Sequence, residues 1–164
     1  MKNIVIFKND RIGDLMHSLE SICFIISQNN EKTVHIFLSE FNYELKNLLT
    51  FNNTKIYKIS NKLTFKDKFF LFCFFLRTKI FSVYILRSES FFFVLPLIFL
   101  TKRIVFNAIC ISNNLYQRPN KFLKKYLSNY VINDRGTRKI RKSILSLQND
   151  LVKNLSYKYI PKEL

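Results

Sequence analysis

The chain has 164 residues, of which 48% are hydrophobic, so it is long and apolar enough for one domain and is not a disordered tail. The net charge is +16 and very unevenly spread: residues 1–60 carry 7 basic and 6 acidic side chains, residues 61–164 carry 20 and 5. This asymmetry predicts an anionic partner, such as a phosphorylated lipid, a membrane surface, an acidic sugar or nucleic acid. The abundance of Lys, Asn, Ile and Phe also fits AT-rich coding, in which case much of the charge is solvated surface.

Short apolar runs alternate along the chain with segments of helical period, which predicts a parallel sheet with helices on both faces. Right-handed crossovers then make the fold a Rossmann-like, doubly wound α/β domain. Residues 107–125 are predicted to be irregular. The predicted strands are 3–7, 33–38, 54–59, 81–87 and 102–106, with a short one near 129–133, and the predicted helices are 14–28, 40–50, 64–78, about 90–100 and 137–154.

Two of these helices carry particular expectations. Ser39 is a plausible N-cap for helix 40–50, and helix 64–78 is apolar nearly all round and is predicted to be buried. The apolar runs 69–76 and 91–100 are shorter than the roughly 20 residues that a membrane-spanning helix needs. They are either core helices or a membrane-docking face, because Phe-rich surface beside Lys and Arg suits a lipid interface.

The cysteines and histidines give no sign of a metal centre. Cys23, Cys73 and Cys110 are far apart and form no CxxC pair, which is typical of reduced thiols in a cytosolic protein. His17 and His35 are the only histidines. The first apolar run is too short for a signal peptide. The sequence therefore predicts a cytoplasmic protein with no metal and no bound cofactor.

The turn after the first strand contains one of only two glycines, Gly13, the other being Gly136. A chain so poor in glycine is expected to keep one where the backbone needs a positive φ or lies close to a ligand. The surrounding residues match neither GxGxxG nor the P-loop pattern. Dinucleotide binding and P-loop nucleotide binding are therefore disfavoured.

Asp14, at the start of the first helix, has two interpretations. As an N-cap it would satisfy free backbone N–H groups. As a general base it would lie above the carboxyl ends of the strands, held ionised by the same N–H groups. The two roles are compatible, because a capping carboxylate is already oriented.

The segments 4–7 (IVIF) and 10–19 (DRIGDLMHSL) resemble the amino-terminal motif of the heptosyltransferase family, glycosyltransferase family 9. That motif is an apolar strand followed, after a few residues, by Gly-Asp, two apolar residues, often His or Leu, and Ser or Thr. Segments 81–90, 101–106 and 137–154 are similar in position to the family's fourth strand and its loop, its next strand, and the helix that closes its amino-terminal domain.

Two positions depart from this family pattern. Glu20 stands where the family usually has proline, which affects helix geometry more than chemistry. Val105 stands near a glycine of the family's next strand, in a region that contacts the acceptor.

The resemblance implies the amino-terminal half of a two-domain GT-B glycosyltransferase. Residues 1–154 would be the acceptor-side domain, and 155–164 a tail leading to an absent donor-binding domain. Asp14 would deprotonate the acceptor hydroxyl as it attacks the anomeric carbon of a nucleotide-activated sugar, usually ADP-heptose, with inversion. The chain would be truncated and inactive alone, as a fragment, one half of a split enzyme or a remnant.

The acceptor implied by the resemblance is the lipopolysaccharide inner core, a lipid-linked sugar rich in carboxylate and phosphate, which would give the basic part of the chain a purpose. A peripheral position on the inner face of the cytoplasmic membrane would suit such an acceptor. Arg11 and Arg87 rank highest among the candidate contacts, because both lie at strand carboxyl ends. The full set of predicted acceptor-binding residues is Arg11, Gly13, Arg87, Ser88, Lys102 and Arg103.

The alternative is a non-catalytic basic module that holds anionic membrane or nucleic acid. Tyr116, Tyr126 and Tyr130 interleave with basic residues in 118–125, an arrangement that suits base stacking. No nucleic-acid-binding motif is present, however. Nucleic acid is therefore the less favoured partner.

Overall fold

A computed structural model of the chain describes residues 3–86, 104–112 and 129–134. Within them, six parallel strands form one sheet in the order β3-β2-β1-β4-β5-β6. The prediction of a Rossmann-like, doubly wound α/β domain is confirmed, because this order is the Rossmann one. The strands are β1 (Asn3–Lys8), β2 (Val34–Ser39), β3 (Thr54–Ile59), β4 (Ile80–Ile85), β5 (Val105–Ser112) and β6 (Asn129–Asp134).

Alternate residues of the strands feed two separate cores, one on each face of the sheet. In β1, Ile4 and Ile6 point to one face, and Val5 and Phe7 point to the other. The first core is covered by helix α2 (Leu19–Ser27) and the second by helix α3 (Phe65–Arg77). Buried helix residues complete the two cores: Ile22, Ile25 and Ile26 from α2, and Leu71 and Phe75 from α3.

The first predicted helix, 14–28, is broken in the structure. It divides into α1 (Ile12–Met16) and α2, separated by a turn at His17 and Ser18. The Ser18 hydroxyl donates a 2.7 Å hydrogen bond to the Asp14 carbonyl, and the Ser18 backbone N–H bonds the Leu15 carbonyl instead. The serine thus competes with the regular helical pattern, which resumes in α2.

The second predicted helix, 40–50, is a 3-10 helix over Tyr43–Leu49, and its N-cap is Asn42, not Ser39. Ser39 belongs to β2, and its hydroxyl donates to the Asp10 carbonyl. The Asn42 amide oxygen accepts the Ser39 backbone N–H at 2.8 Å. Ser39, which was predicted to start a helix, is therefore the last residue of a strand.

The fifth strand lies further along the chain than predicted. β5 runs over Val105–Ser112, so residues 107–112, predicted to be irregular, are paired with β6. Asn107, the first residue of the segment predicted to be irregular, is buried, and its amide donates to the Ser82 hydroxyl at 3.0 Å. A buried asparagine satisfied by the neighbouring strand does not end a strand. The predicted helices about 90–100 and 137–154 lie outside the described residues.

Helix α3 begins where the sequence predicts, because Thr64 and Asp67 form a capping box. The prediction that it is buried all round is wrong: Leu71 and Phe75 are buried, whereas Phe65 is 84% exposed. Only one face of the helix meets the sheet. Among the residues that the structure describes, no helix combines the length and apolar character needed to cross a membrane.

Buried His35 on β2 should make stability depend on pH. Its ring stacks on Tyr57 at 5.7 Å, and burial, with a smaller contribution from the positive charge of Lys55, lowers the pKa of His35 from 6.5 to about 4. The unfolded imidazole takes up a proton as the pH falls through about 6.5, and the folded one only near 4. The contribution of His35 to the free energy of unfolding should therefore be constant above about pH 6.5. It should fall by about 3 kcal/mol as the pH is lowered from 6.5 to about 4.

Urea unfolding at stepped pH measures this effect. A His35→Phe variant, which keeps an aromatic ring, should lose most of the pH dependence in that window. The matched variant His17→Phe, at an exposed position, should retain it. Equal pH dependence in both variants would show that His35 is not its source.

Candidate functional site

The carboxyl ends of β1 and β4 form the point where the strand order reverses. β1 is hydrogen-bonded to β2 on one side and to β4 on the other, so connections leave to opposite sides there. Leu86, just after β4, is buried, and its backbone N–H donates to the Phe7 carbonyl at 3.1 Å. In open α/β sheets, ligands bind in the crevice at such a switch point.

Arg11 and Asp14 lie directly after β1, at this crevice. Arg11 is the N-cap residue of α1, with extended backbone angles (φ −82°, ψ 164°), and its side chain is exposed and makes no capping bond. Asp14 is half-buried in the first turn of α1. The interpretation of Asp14 as an N-cap is therefore wrong. No described residue donates a hydrogen bond to the Asp14 carboxylate, so it is available to a ligand.

Gly13 is not needed by the fold itself. It is exposed and has the helical backbone of α1, so the expectation of a positive φ is wrong. Among the described residues, a Cβ atom added there would meet nothing within 4 Å beyond its chain neighbours and the backbone of its own helix. Of the two reasons for which the sequence would keep this glycine, close approach of a ligand is the one the geometry permits.

Behind the crevice lies a buried polar cluster that the sequence did not predict, formed by Lys8, Asp10, Ser39 and Asn42. Lys8 is only 1% exposed; its Nζ lies 2.6 Å from Asp10 Oδ2 and 3.3 Å from the Leu86 carbonyl oxygen. A charge buried this deeply is stable only when it is paired and hydrogen-bonded. The ion pair holds the Lys8 ammonium in place, and its hydrogen bond to the Leu86 carbonyl ties the end of β1 to the residue after β4.

The other members of the polar cluster tie the β1–α1 connection to β2. Asn42 donates to the Lys8 carbonyl at 2.9 Å, and the Ser39 hydroxyl donates to the Asp10 carbonyl. Asn9 donates to the carbonyls of residues 60–61, after β3, at 3.3 Å each. The segment that presents Arg11 is thus held by the ends of three neighbouring strands. A lysine two residues before an aspartate at a strand end was the only sequence signal.

The remaining predicted contacts lie outside the described residues: Arg87, Ser88, Lys102 and Arg103. The structure brings Leu86 beside the end of β1, whereas β5 begins at Val105, at the sheet edge opposite to Asp14. The assignment of these four residues to an acceptor stays a prediction. Among the described residues, no cluster of His, Cys, Asp or Glu could hold a metal ion.

A pocket of about 360 Å³ lies at the opposite, amino-terminal edge of the sheet, between the end of α2 and residues 51–53 before β3. No charged side chain lines it. Cys23, a free thiol, is among its lining residues, and burial raises the pKa of that thiol, which makes it a poor nucleophile. This pocket offers no chemistry comparable to that of the crevice.

The chain is similar to known proteins in its fold, whereas comparison of its sequence finds no match. No family model and no curated protein sequence matches the chain. The solved structure of E. coli heptosyltransferase WaaC with ADP matches it with a TM-score of 0.61 at 10% identity, over 99% of this chain and 49% of that one. The fold is that of one half of a heptosyltransferase.

Two further solved structures agree. A family 9 glycosyl transferase from Veillonella parvula DSM 2008 has a TM-score of 0.61 at 12% identity, over 94% of this chain and 41% of that one. WaaC with ADP-2-deoxy-2-fluoro heptose has a TM-score of 0.59 at 10% identity, over 99% and 50%. The chain thus spans about half the length of these solved structures.

Proposed function

We propose that this chain is the acceptor-side half of an inverting glycosyltransferase of the heptosyltransferase kind. The observation that carries the proposal is the half-buried Asp14 carboxylate at the switch point of the sheet, in the first turn of the helix whose N-cap residue is the exposed Arg11. The heptosyltransferase fold of the domain supports it. In this proposal residues 1–154 form the acceptor-side domain, and residues 155–164 lead to a donor-binding domain.

In the proposed reaction, Asp14 takes the proton of an acceptor hydroxyl. The hydroxyl oxygen forms a bond to the anomeric carbon of a nucleotide-linked sugar such as ADP-heptose, and the bond from that carbon to the diphosphate breaks. The nucleoside diphosphate leaves with the electron pair, and attack from the opposite face inverts the carbon. The donor-binding half supplies the contacts that stabilise the departing diphosphate.

The proposed acceptor is a lipid-linked acidic sugar of the lipopolysaccharide core, used at the inner face of the cytoplasmic membrane. Arg11 suits its carboxylates and phosphates, because a guanidinium binds such groups with two parallel hydrogen bonds. Arg87 and Ser88, which directly follow Leu86 in the sequence, are further proposed contacts. Lys102 and Arg103 are not part of this proposal, because β5 begins at the sheet edge opposite to Asp14. No described acidic side chain forms an ion pair with Arg11, so an acceptor anion meets no internal competitor there.

Reconstitution tests this proposal. The chain alone should transfer no sugar from ADP-heptose, whereas the chain combined with the donor-binding half of a heptosyltransferase should modify a lipid-linked core acceptor. Release of labelled ADP and mass gain of the acceptor measure the reaction. Acceptor binding without transfer, whichever donor half is supplied, would instead favour the non-catalytic basic module.

A Gly13→Ala variant tests whether the glycine serves the ligand or the fold. Because the added methyl group meets no described residue outside its own helix, stability should be unchanged or up to about 1 kcal/mol higher, since alanine favours a helix. Acceptor affinity should fall about tenfold, the equivalent of one displaced contact of about 1.4 kcal/mol. Urea unfolding and acceptor titration measure the two effects. A destabilised variant with unchanged affinity would make Gly13 a structural residue.

A further inference from the structure

Helix α3 carries an exposed apolar face, which we call the α3 stripe: Phe65, Phe69, Phe72 and Leu76. Their exposed fractions are 84%, 62%, 40% and 57%. The spacing of four, three and four residues keeps them within one narrow sector of the helix, because each residue turns the helix by about 100°. Four large apolar side chains in one continuous exposed line are unusual on a protein surface and mark an interaction site.

The folding of the domain does not need the α3 stripe. The opposite face of α3 already packs on the sheet, with Leu71 and Phe75 buried and the ring of Phe74 5.3 Å from that of Phe37. The start of the helix is fixed by the capping box of Thr64 and Asp67. The stripe is therefore left over after the core of the domain has been completed.

Basic side chains border the α3 stripe on both sides. By helical position, Lys66 and Arg77 lie on one flank and Lys68 on the other, and Lys62 and Lys79 are just outside the two helix ends; all five are exposed. The helix contains one acidic residue, Asp67, which is used in the capping box. An apolar line flanked by Lys and Arg, whose long side chains reach outward, has the composition of a helix lying in a lipid interface.

We propose that the α3 stripe docks the domain on an anionic membrane, with the phenyl rings at the level of the acyl chains and the flanking cations on the headgroups. The positive charge beside the stripe is complementary to anionic lipid headgroups. A purely apolar groove of a partner protein would leave these cations without counter-charges. Docking would bring a lipid-linked acceptor to the domain, but it does not rest on the proposed sugar transfer. It is measured without donor or acceptor, so either proposal can fail by itself.

Vesicle sedimentation tests the docking. The chain should bind phosphatidylcholine vesicles containing phosphatidylglycerol more tightly than vesicles of phosphatidylcholine alone. Binding should weaken as salt rises, because exposed charges are screened over about 8 Å at physiological ionic strength. Lys62→Gln with Lys66→Gln should lower the partition constant about 10–30-fold, since each cation near an anionic surface contributes a factor of about five.

The apolar part of the face has its own matched variants. Phe65→Ser with Phe69→Ser should weaken binding at least about tenfold while leaving the melting temperature near that of the parent, because both rings are largely exposed. Phe24→Ser is the control, since Phe24 is 38% exposed on α2, on the other side of the sheet, and it should bind as the parent does.

Three results would overturn the docking proposal. The first is equal binding to neutral and anionic vesicles, and the second is equal binding by the Phe65/Phe69 variant and the Phe24 control. The third is self-association in sedimentation velocity that the Phe65/Phe69 variant abolishes, together with no vesicle binding by the parent. That outcome would identify the α3 stripe as a contact between copies of this chain.

Discussion

Replacing Asp14 with asparagine is expected to slow sugar transfer by about 10²–10⁴-fold in the chain combined with a donor-binding half, the usual contribution of a general base. Asparagine keeps the shape of the side chain but cannot take the proton of the acceptor hydroxyl. The turnover number kcat should carry the loss, with KM for the acceptor little changed. Glu20→Gln, at an exposed acid in the first turn of α2, is the matched control and should keep the parental rate.

The structure makes this substitution a clean test of chemistry. Arg11, not Asp14, is the N-cap residue of α1, and no described residue hydrogen-bonds the Asp14 carboxylate, so little folding free energy depends on it. The melting temperature of the variant should match that of the parent. If Asp14→Asn lowered the melting temperature while its folded fraction transferred sugar at the full rate, the carboxylate would have a structural role and another base would be required.

The sheet was predictable because each strand can be recognised from its own residues. β2, buried along its whole length, lies within one residue of the predicted 33–38, as expected of a largely apolar run. β3, in which Ile56, Tyr57 and Ile59 lie among polar residues, matches the predicted 54–59. The position of Asp14 in the first turn after β1 was predictable for the same reason: a strand, a glycine and a helical period follow each other directly. No knowledge of distant contacts is needed for either.

Two features that the sequence did not predict, buried Lys8 and buried Asn107, have partners that are distant in sequence. Lysines are rarely buried, so the sequence alone suggests a solvated side chain for Lys8. Only the structure places the Asp10 carboxylate and the Leu86 carbonyl oxygen beside its ammonium group. The segment predicted to be irregular begins at Asn107, and nothing local shows that the Ser82 hydroxyl of β4 satisfies its amide. Helix α3 is apolar on nearly every side, and no sequence pattern tells which side the sheet covers and which stays exposed.

Breaking the buried ion pair is expected to be the most destabilising single change at the site. Asp10→Asn leaves the Lys8 ammonium 1% exposed without its counter-charge, which should cost about 3–5 kcal/mol in the free energy of unfolding. Lys66→Met, at an exposed lysine of α3, is the control and should change it by no more than about 0.5 kcal/mol. Urea unfolding at neutral pH measures both.

The double variant Lys8→Met with Asp10→Asn separates stability from positioning. Removing both charges should restore most of the free energy of unfolding, because no buried charge is then left unpaired. Transfer by the reconstituted enzyme should nevertheless stay well below the parental rate. The charged link from the end of β1 to the Leu86 carbonyl would be gone, and with it part of what fixes the segment leading to Arg11 and Asp14. Full activity in a stable double variant would show that the ion pair serves the fold and not the placement of the carboxylate.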